Sequence, residues 1–284
     1  MKTKLLFVIL LAGFFIKADL PAYYIYNKDG KQTSYDELLK KASNADVVLF
    51  GELHNNAVAH WLQLELTKGL KNENKGNVIM GAEMFEADQQ LIINEFLDGQ
   101  ISDKNFENEA RLWPNYKTDY KPLLQFARNN HIPFIATNVP RRYASFVAKN
   151  GLDSLNRMAT EEARSYMTPL PFELDLELPG YKNMMHEGGG AMKYLPHAQA
   201  LKDATMGWFI VNNLDKKKTF IHFHGTYHSN NFEGIYWYLN KYKAGLKIVT
   251  IATVEQADIL KFDEQNLNLA DFIITVDEDF TKTH

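Results

Sequence analysis

Glu52, His54, Glu83 and His228 each stand at or just beyond the end of a short apolar run. V-V-L-F (47–50) leads to Gly51, Glu52, Leu53 and His54, and N-V-I-M-G-A (77–82) leads to Glu83. P-F-I-A-T (133–137) leads to Asn138, Pro140, Arg141 and Arg142, and T-F-I-H-F-H (219–224) leads to Gly225, Thr226, Tyr227 and His228. Two chemistries suit such residues. Imidazole and carboxylate ligate zinc, manganese or iron, which makes Glu52, His54 and His228 a candidate metal set. A His beside a buried Glu titrates near neutrality, so Glu52, His54, Glu83 and His228 equally form a candidate acid–base set for an esterase- or peptidase-like hydrolase. Each residue also has a structural alternative, since a carboxylate after a strand often caps a helix and His222 or His224 can be a core imidazole. H-E-x-x-H, G-x-S-x-G, P-loop and G-x-G-x-x-G patterns are all absent.

The elements that must position these residues alternate in type. To the four runs are added K-I-V-T-I-A-T-V (247–254) and D-F-I-I-T-V (271–276), and all six have the continuous apolar character of strands buried on both faces. Between them lie helical spacings: His60, Leu64, Leu66 and Leu70; Leu91, Ile92 and Phe96; Leu123, Leu124 and Ala127; Ala200, Leu201, Ala204, Trp208 and Val211. The alternation predicts an α/β fold, a mainly parallel central sheet flanked by helices. Ligands of such sheets bind beyond the carboxyl ends of the strands, so the four residues are expected on one rim. Residues 19–43 read as a polar leader. Residues 151–197 break the rhythm, with P-L-P-F-E-L-D-L-E-L-P-G and a Gly triplet at 188–190, and are expected to form a helical and loop cap on a single domain of residues 19–284.

A 284-residue chain with 45% hydrophobic residues and a formal charge of −4 can bury a large core, and it has no basic block that would track nucleic acid. M-K-T-K followed by L-L-F-V-I-L-L-A-G-F-F-I has the basic start and short apolar run of a signal peptide, expected to span residues 1–18. The chain is therefore expected to be exported, either periplasmic or secreted. Cysteine is absent, so there is no lipid-accepting thiol; membrane association would need another anchor.

G-E-L-H (51–54) with His60 and Gln63, G-A-E-M-F (81–85) with a Gln at 89 or 90, A-T-N-V-P-R (136–141), A-Q-A-L-K-D-A-T-M (198–206) and G-T-Y-H (225–228) follow in order. With these motifs, residues 45–255 resemble the ChaN-like haem-binding proteins, within a superfamily that includes erythromycin esterases and TIKI/TraB-type proteins. The resemblance implies haem as cofactor, a role in haem or iron uptake or handling, and a homodimer enclosing two stacked haems. It also implies a tyrosine oxygen on the iron, with His and Lys holding propionates. The missing cysteine departs from the lipid anchor common in that family. In the esterase relatives the acidic and imidazole residues take part in hydrolysis, so the hydrolase remains the alternative.

Tyr166, Tyr181, Tyr194 and Tyr227 are the candidate iron ligands. Y-K-N-M-M-H-E-G-G-G-A-M-K-Y-L-P-H (181–197) gathers Tyr181, His186, Lys193, Tyr194 and His197 among methionines. Flat apolar surface, axial donors and cations for propionates make this the expected haem-binding stretch. Mass spectrometry of the processed protein should find a start near Asp19, and an intact Met1 would contradict cleavage.

Overall fold

The computed structural model describes residues 20–187 and 193–284; the side chains of His186 and Glu187 lie outside that description. All six apolar runs form strands: β3 (Val47–Glu52), β4 (Val78–Glu86), β5 (Phe134–Asn138), β6 (Thr219–Gly225), β7 (Ile248–Gln256) and β8 (Phe272–Asp277). With β1 (Tyr23–Asn27) and β2 (Gln32–Thr33) they make one eight-stranded sheet in the order β2-β1-β8-β7-β3-β6-β4-β5. The run from β8 to β5 is parallel throughout, and β1 joins it antiparallel to β8.

The leader, polar in its sequence, contains β1, β2 and α1 (Tyr35–Ala42). Its tyrosines disguise a strand. The Tyr26 ring is buried while its hydroxyl donates to the Ile259 carbonyl at 2.8 Å, so one residue serves both core and polar needs.

Helices α2 (Ala57–Glu73), α3 (Gln90–Leu97), α4 (Asp103–Glu109) and α5 (Lys121–Asn129) follow the first strands. Leu62 and Leu66 of α2, Ile93 and Phe96 of α3, and Leu123 and Leu124 of α5 cover one sheet face, against Val48, Phe50, Met80, Ala82, Ile221 and Phe223. On the opposite face α10 (Leu195–Asn212) and α11 (Ile235–Tyr242) set Met206, Ile210, Ile235 and Leu239 against Val47, Leu49, Ile79 and Phe220. The two-residue alternation of strand side chains divides the core in this way.

The cap follows α6 (Arg141–Asn150) as α7 (Leu152–Met158), α8 (Glu161–Ser165) and α9 (Pro179–Glu187). Leu155 and Met167 pack against Val147 of α6 and Leu201 of α10, so the cap's apolar residues complete a cluster shared with the main body. Among the described residues no helix is long and apolar enough to cross a membrane.

Chain order skips in the centre of the sheet, where β6 lies between β3 and β4. Glu52 registers against Gly225, and Ala82 against Phe223, which brings Glu52, Glu83 and Gly225 to neighbouring strand ends. Gly51 makes this closeness possible, because a Cβ there would lie 2.9 Å from both the Ile251 carbonyl oxygen and Thr226 Cα. Gly51→Ala should therefore destabilise the fold by about 1–3 kcal/mol in denaturant unfolding.

Candidate functional site

Glu52 and Glu83 leave the sheet on opposite faces. Glu52 is fully buried beneath α2 and the π-helical turn Tyr116–Tyr120. Its Oε1 accepts from His54 Nδ1 at 2.8 Å and from the Tyr120 hydroxyl at 2.7 Å; its Oε2 accepts from the Gln63 amide and lies 3.4 Å from His60 Nδ1. Burial alone would raise the Glu52 pKa, but hydrogen bonds from His54 and His60 overcome it and hold the carboxyl well below its usual range. Burial opposes charge on His60 as well. The Glu52 hydrogen bond and the charges of Glu52 and Asp119 nevertheless raise its pKa to about 9. His60 Nε2 lies 3.4 Å from Asp119 Oδ2, so one imidazolium bridges two carboxylates.

The arrangement recurs on the other face. His228 Nε2 lies 3.0 Å from Glu83 Oε1, and its Nδ1 is hydrogen-bonded to Asp203 of α10. Against burial, the charges of Glu83 and Asp203 raise the His228 pKa to about 9. Burial would push Glu83 up, yet the His228 charge and hydrogen bond, helped by Lys202, hold it well below the carboxylate range. Glu83 Oε2 accepts from the Gly225 backbone N–H at 2.8 Å.

Beneath them, buried His222 and His224 place their Nδ1 atoms 3.0 Å apart, while their Nε2 atoms bond Thr137 and Ser229 at 2.7 and 2.8 Å. Burial, with the charge of His228, depresses His224 to about 3; burial and His224 depress His222 well below the ordinary value. Both are neutral core imidazoles.

Above the strand ends opens a cleft of about 500 Å³. His54, Glu83 and His228 line it at the sheet; Glu52 touches it only through His54. Val139, Ala144, Ala148, Leu195 and Ala198 supply an apolar wall, with Trp113 beside His54. Arg141 and Lys202 also line the cleft, and neither is held in an ion pair among the described residues. Tyr227, 78% exposed, stands at its edge.

One expectation, the metal set, needs correction, and the residues of a second lie apart. The metal set of Glu52, His54 and His228 is not assembled, and among the described residues no three His, Asp or Glu side chains are arranged to hold a metal ion. Glu52 faces the far layer of helices, and both nitrogens of His228 are taken by Glu83 and Asp203. Of the five cap residues expected to hold haem, Tyr181 is set apart from Tyr194 and His197. Tyr181 is buried and donates to Asp203 Oδ2 at 2.7 Å; burial and the Asp203 charge raise its pKa well above the usual value, the opposite of what a tyrosinate ligand needs. Tyr194 and His197 line a separate cleft of about 230 Å³, and Lys193 Nζ lies 5.2 Å from the Tyr194 ring centre. The His186 side chain lies outside the described residues. Tyr166 reaches towards Glu162 within its own helical turn.

Fold and site define an α/β protein with a ligand cleft at the carboxyl edge of a parallel sheet. Residues 38–239 match the family model described as "Haem-binding uptake, Tiki superfamily, ChaN", and the chain belongs to that family. Among solved structures, it is similar to ChaN of Campylobacter jejuni, described with cofacial haem binding: 17% identity, TM-score 0.63, covering 89% of this chain and 96% of that one. A succinoglycan biosynthesis protein shares the fold at 12% identity and TM-score 0.50, over 85% of this chain and 90% of its own. Protein RETICULATA-RELATED 5, chloroplastic, of Arabidopsis thaliana is 26% identical over 136 residues, covering 46% of this chain and 18% of that protein. The chain thus spans under a fifth of that relative's length.

The imidazolium bridges set the pH response of stability. His60 and His228 bind protons more tightly folded than unfolded, so their contribution is complete below about pH 6.5 and is lost as pH rises through about 9. His222 and His224 resist protonation in the fold, so stability also falls as pH drops below about 6.5, and further when the depressed Glu52 and Glu83 carboxylates protonate. Melting temperature should peak near pH 6–7, with an alkaline loss on the order of 3 kcal/mol per bridging His. His228→Gln should lower the peak and flatten that alkaline limb.

Proposed function

We propose that this chain is an exported haem-binding protein of haem or iron uptake, and that the 500 Å³ cleft above β3, β4 and β6 is where the porphyrin sits. The observation that carries the reading is the cleft's composition. An apolar wall of Val139, Ala144, Ala148 and Leu195 suits a porphyrin face, Arg141 and Lys202, in no ion pair among the described residues, suit propionates, and exposed Tyr227 offers a phenol oxygen at the rim. When bound, the haem supplies a ferric iron that favours an anionic oxygen donor. The cleft is open on one side, and a second copy of this chain, with its own porphyrin, is the cover this reading favours.

Export rests on the basic and apolar start of the sequence, and family membership supports the haem assignment. The hydrolase alternative has less support, because the sheet-edge carboxylates are neutralised by imidazolium bridges and Glu52 lies behind His54.

Hemin added to the mature protein should shift the Soret band and produce a tyrosinate-to-iron charge-transfer band. Tyr227→Phe keeps the ring and removes the oxygen, so that band should vanish and affinity fall about tenfold, roughly 1.4 kcal/mol. Tyr181→Phe and Tyr194→Phe should retain the band. Lys202→Ala should weaken binding severalfold with the spectrum unchanged. An unaltered hemin spectrum with the parent protein contradicts the proposal.

A further inference from the structure

Helix α9 carries Met184 into the wall of the cleft, yet little apolar burial holds the helix there. Before it, Thr168 is fixed to α10 and α11: its N–H donates to Thr205 Oγ1 at 3.2 Å, and its hydroxyl is hydrogen-bonded to the Tyr242 hydroxyl at 2.7 Å. Leu170 and Phe172 rest on the cluster shared by α6, α7 and α10, and Phe172 meets Tyr238 edge-on with centroids 5.9 Å apart. Beyond that point, from Glu173 to Met185, Tyr181 is the one buried residue among the described residues. A segment with so few buried apolar contacts opens at a lower free energy than the sheet beneath it.

Hydrogen bonds take the place of burial. The Tyr181 hydroxyl donates to Asp203 Oδ2 at 2.7 Å, and the Gly180 backbone N–H donates to Glu233 Oε2, just ahead of α11, at 2.7 Å. At the start of the segment the Tyr238 hydroxyl donates to the Glu173 carbonyl at 3.2 Å. Lys241 pairs with Glu173 at 2.7 Å on the surface, where such a pair contributes little. Lys182 pairs with Glu177 inside the segment and fastens it to nothing else. The two bonds to Asp203 and Glu233 are the stronger fastening, since each has a carboxylate acceptor. Asp203 also joins the segment to the floor of the cleft, because its other oxygen holds His228 Nδ1.

We infer that residues 173–185 form a flap on the cleft, that Tyr181 and Glu233 are its latch, and that this latch sets how fast a bound porphyrin leaves. The last part rests on the haem reading of the cleft; the flap and its latch do not. Tyr181 does not line the cleft, so it is a positioning residue that acts through α9 and Met184.

The test uses the full chain in two measurements. Hydrogen exchange followed by mass spectrometry, without hemin, reads the flap itself. Tyr181→Phe keeps the ring and removes the donor, so the amides of residues 173–185 should exchange about tenfold faster, the size expected for one hydrogen bond to a charged acceptor, while those of β3, β4 and β6 keep the parent's rates. Glu233→Ala should do the same, whereas Glu233→Gln keeps an oxygen for the Gly180 N–H and should exchange as the parent does. Transfer of hemin to excess apomyoglobin reads the residence time: Tyr181→Phe and Glu233→Ala should release hemin about tenfold faster while keeping the parent's tyrosinate band. Unchanged exchange of residues 173–185 in both variants, or strands that speed up as much as the flap, overturns the latch. Faster exchange of the flap with unchanged release overturns its part in holding the ligand. A parent protein that leaves hemin unbound contradicts the haem reading and the residence time with it, and the exchange rates still decide the flap.

Discussion

Two glutamates buried at adjacent strand ends constrain everything around them. An isolated carboxylate cannot stay ionised without water, so Glu52 and Glu83 each need a cation or several donors within the fold. Each receives an imidazolium, His60 from α2 and His228 from the turn after β6, and each imidazolium is shared with an aspartate. Losing one partner would strand the rest, since breaking a buried pair costs more than the pair contributes. The position of α2, the π-helical turn carrying Asp119 and Tyr120, and the placement of Asp203 on α10 all serve this compensation.

The two bridges occupy opposite faces of the sheet, and the cleft opens where they meet at its edge. Glu52 is therefore out of a ligand's reach and communicates through His54. His228 is saturated by Glu83 and Asp203 and frames the cleft without a free nitrogen. What remains for a ligand is His54 at the sheet, Tyr227 at the rim, Arg141 and Lys202 as cations, and the small side chains of α6 and α10. One sheet edge thus carries both the folding constraint and the binding surface.

Much of this was legible in the sequence. Each of the six apolar runs became a strand, and the rim follows because parallel strands end together. β1 was hidden because tyrosines register as polar although their rings bury. Asp119 and Asp203 followed no strand, so only folding reveals them as partners of His60 and His228. The expected haem-binding stretch reads differently in the fold for a related reason. Local density in 181–197 suggested a site, but α9 turns Tyr181 inward to Asp203, while Tyr194 and His197 meet a different cleft. Tyr227 is solitary in sequence, and only the sheet places it beside Arg141 and Lys202.

The central claim, that haem occupies the sheet-edge cleft, is tested most directly by locating iron in crystals of the hemin-loaded protein through anomalous scattering at the iron absorption edge. The account predicts an iron peak within that cleft beside Tyr227, with propionates towards Arg141 and Lys202. An iron peak against Tyr194 and His197 in the smaller cleft, or on the outer surface of the cap, would contradict it.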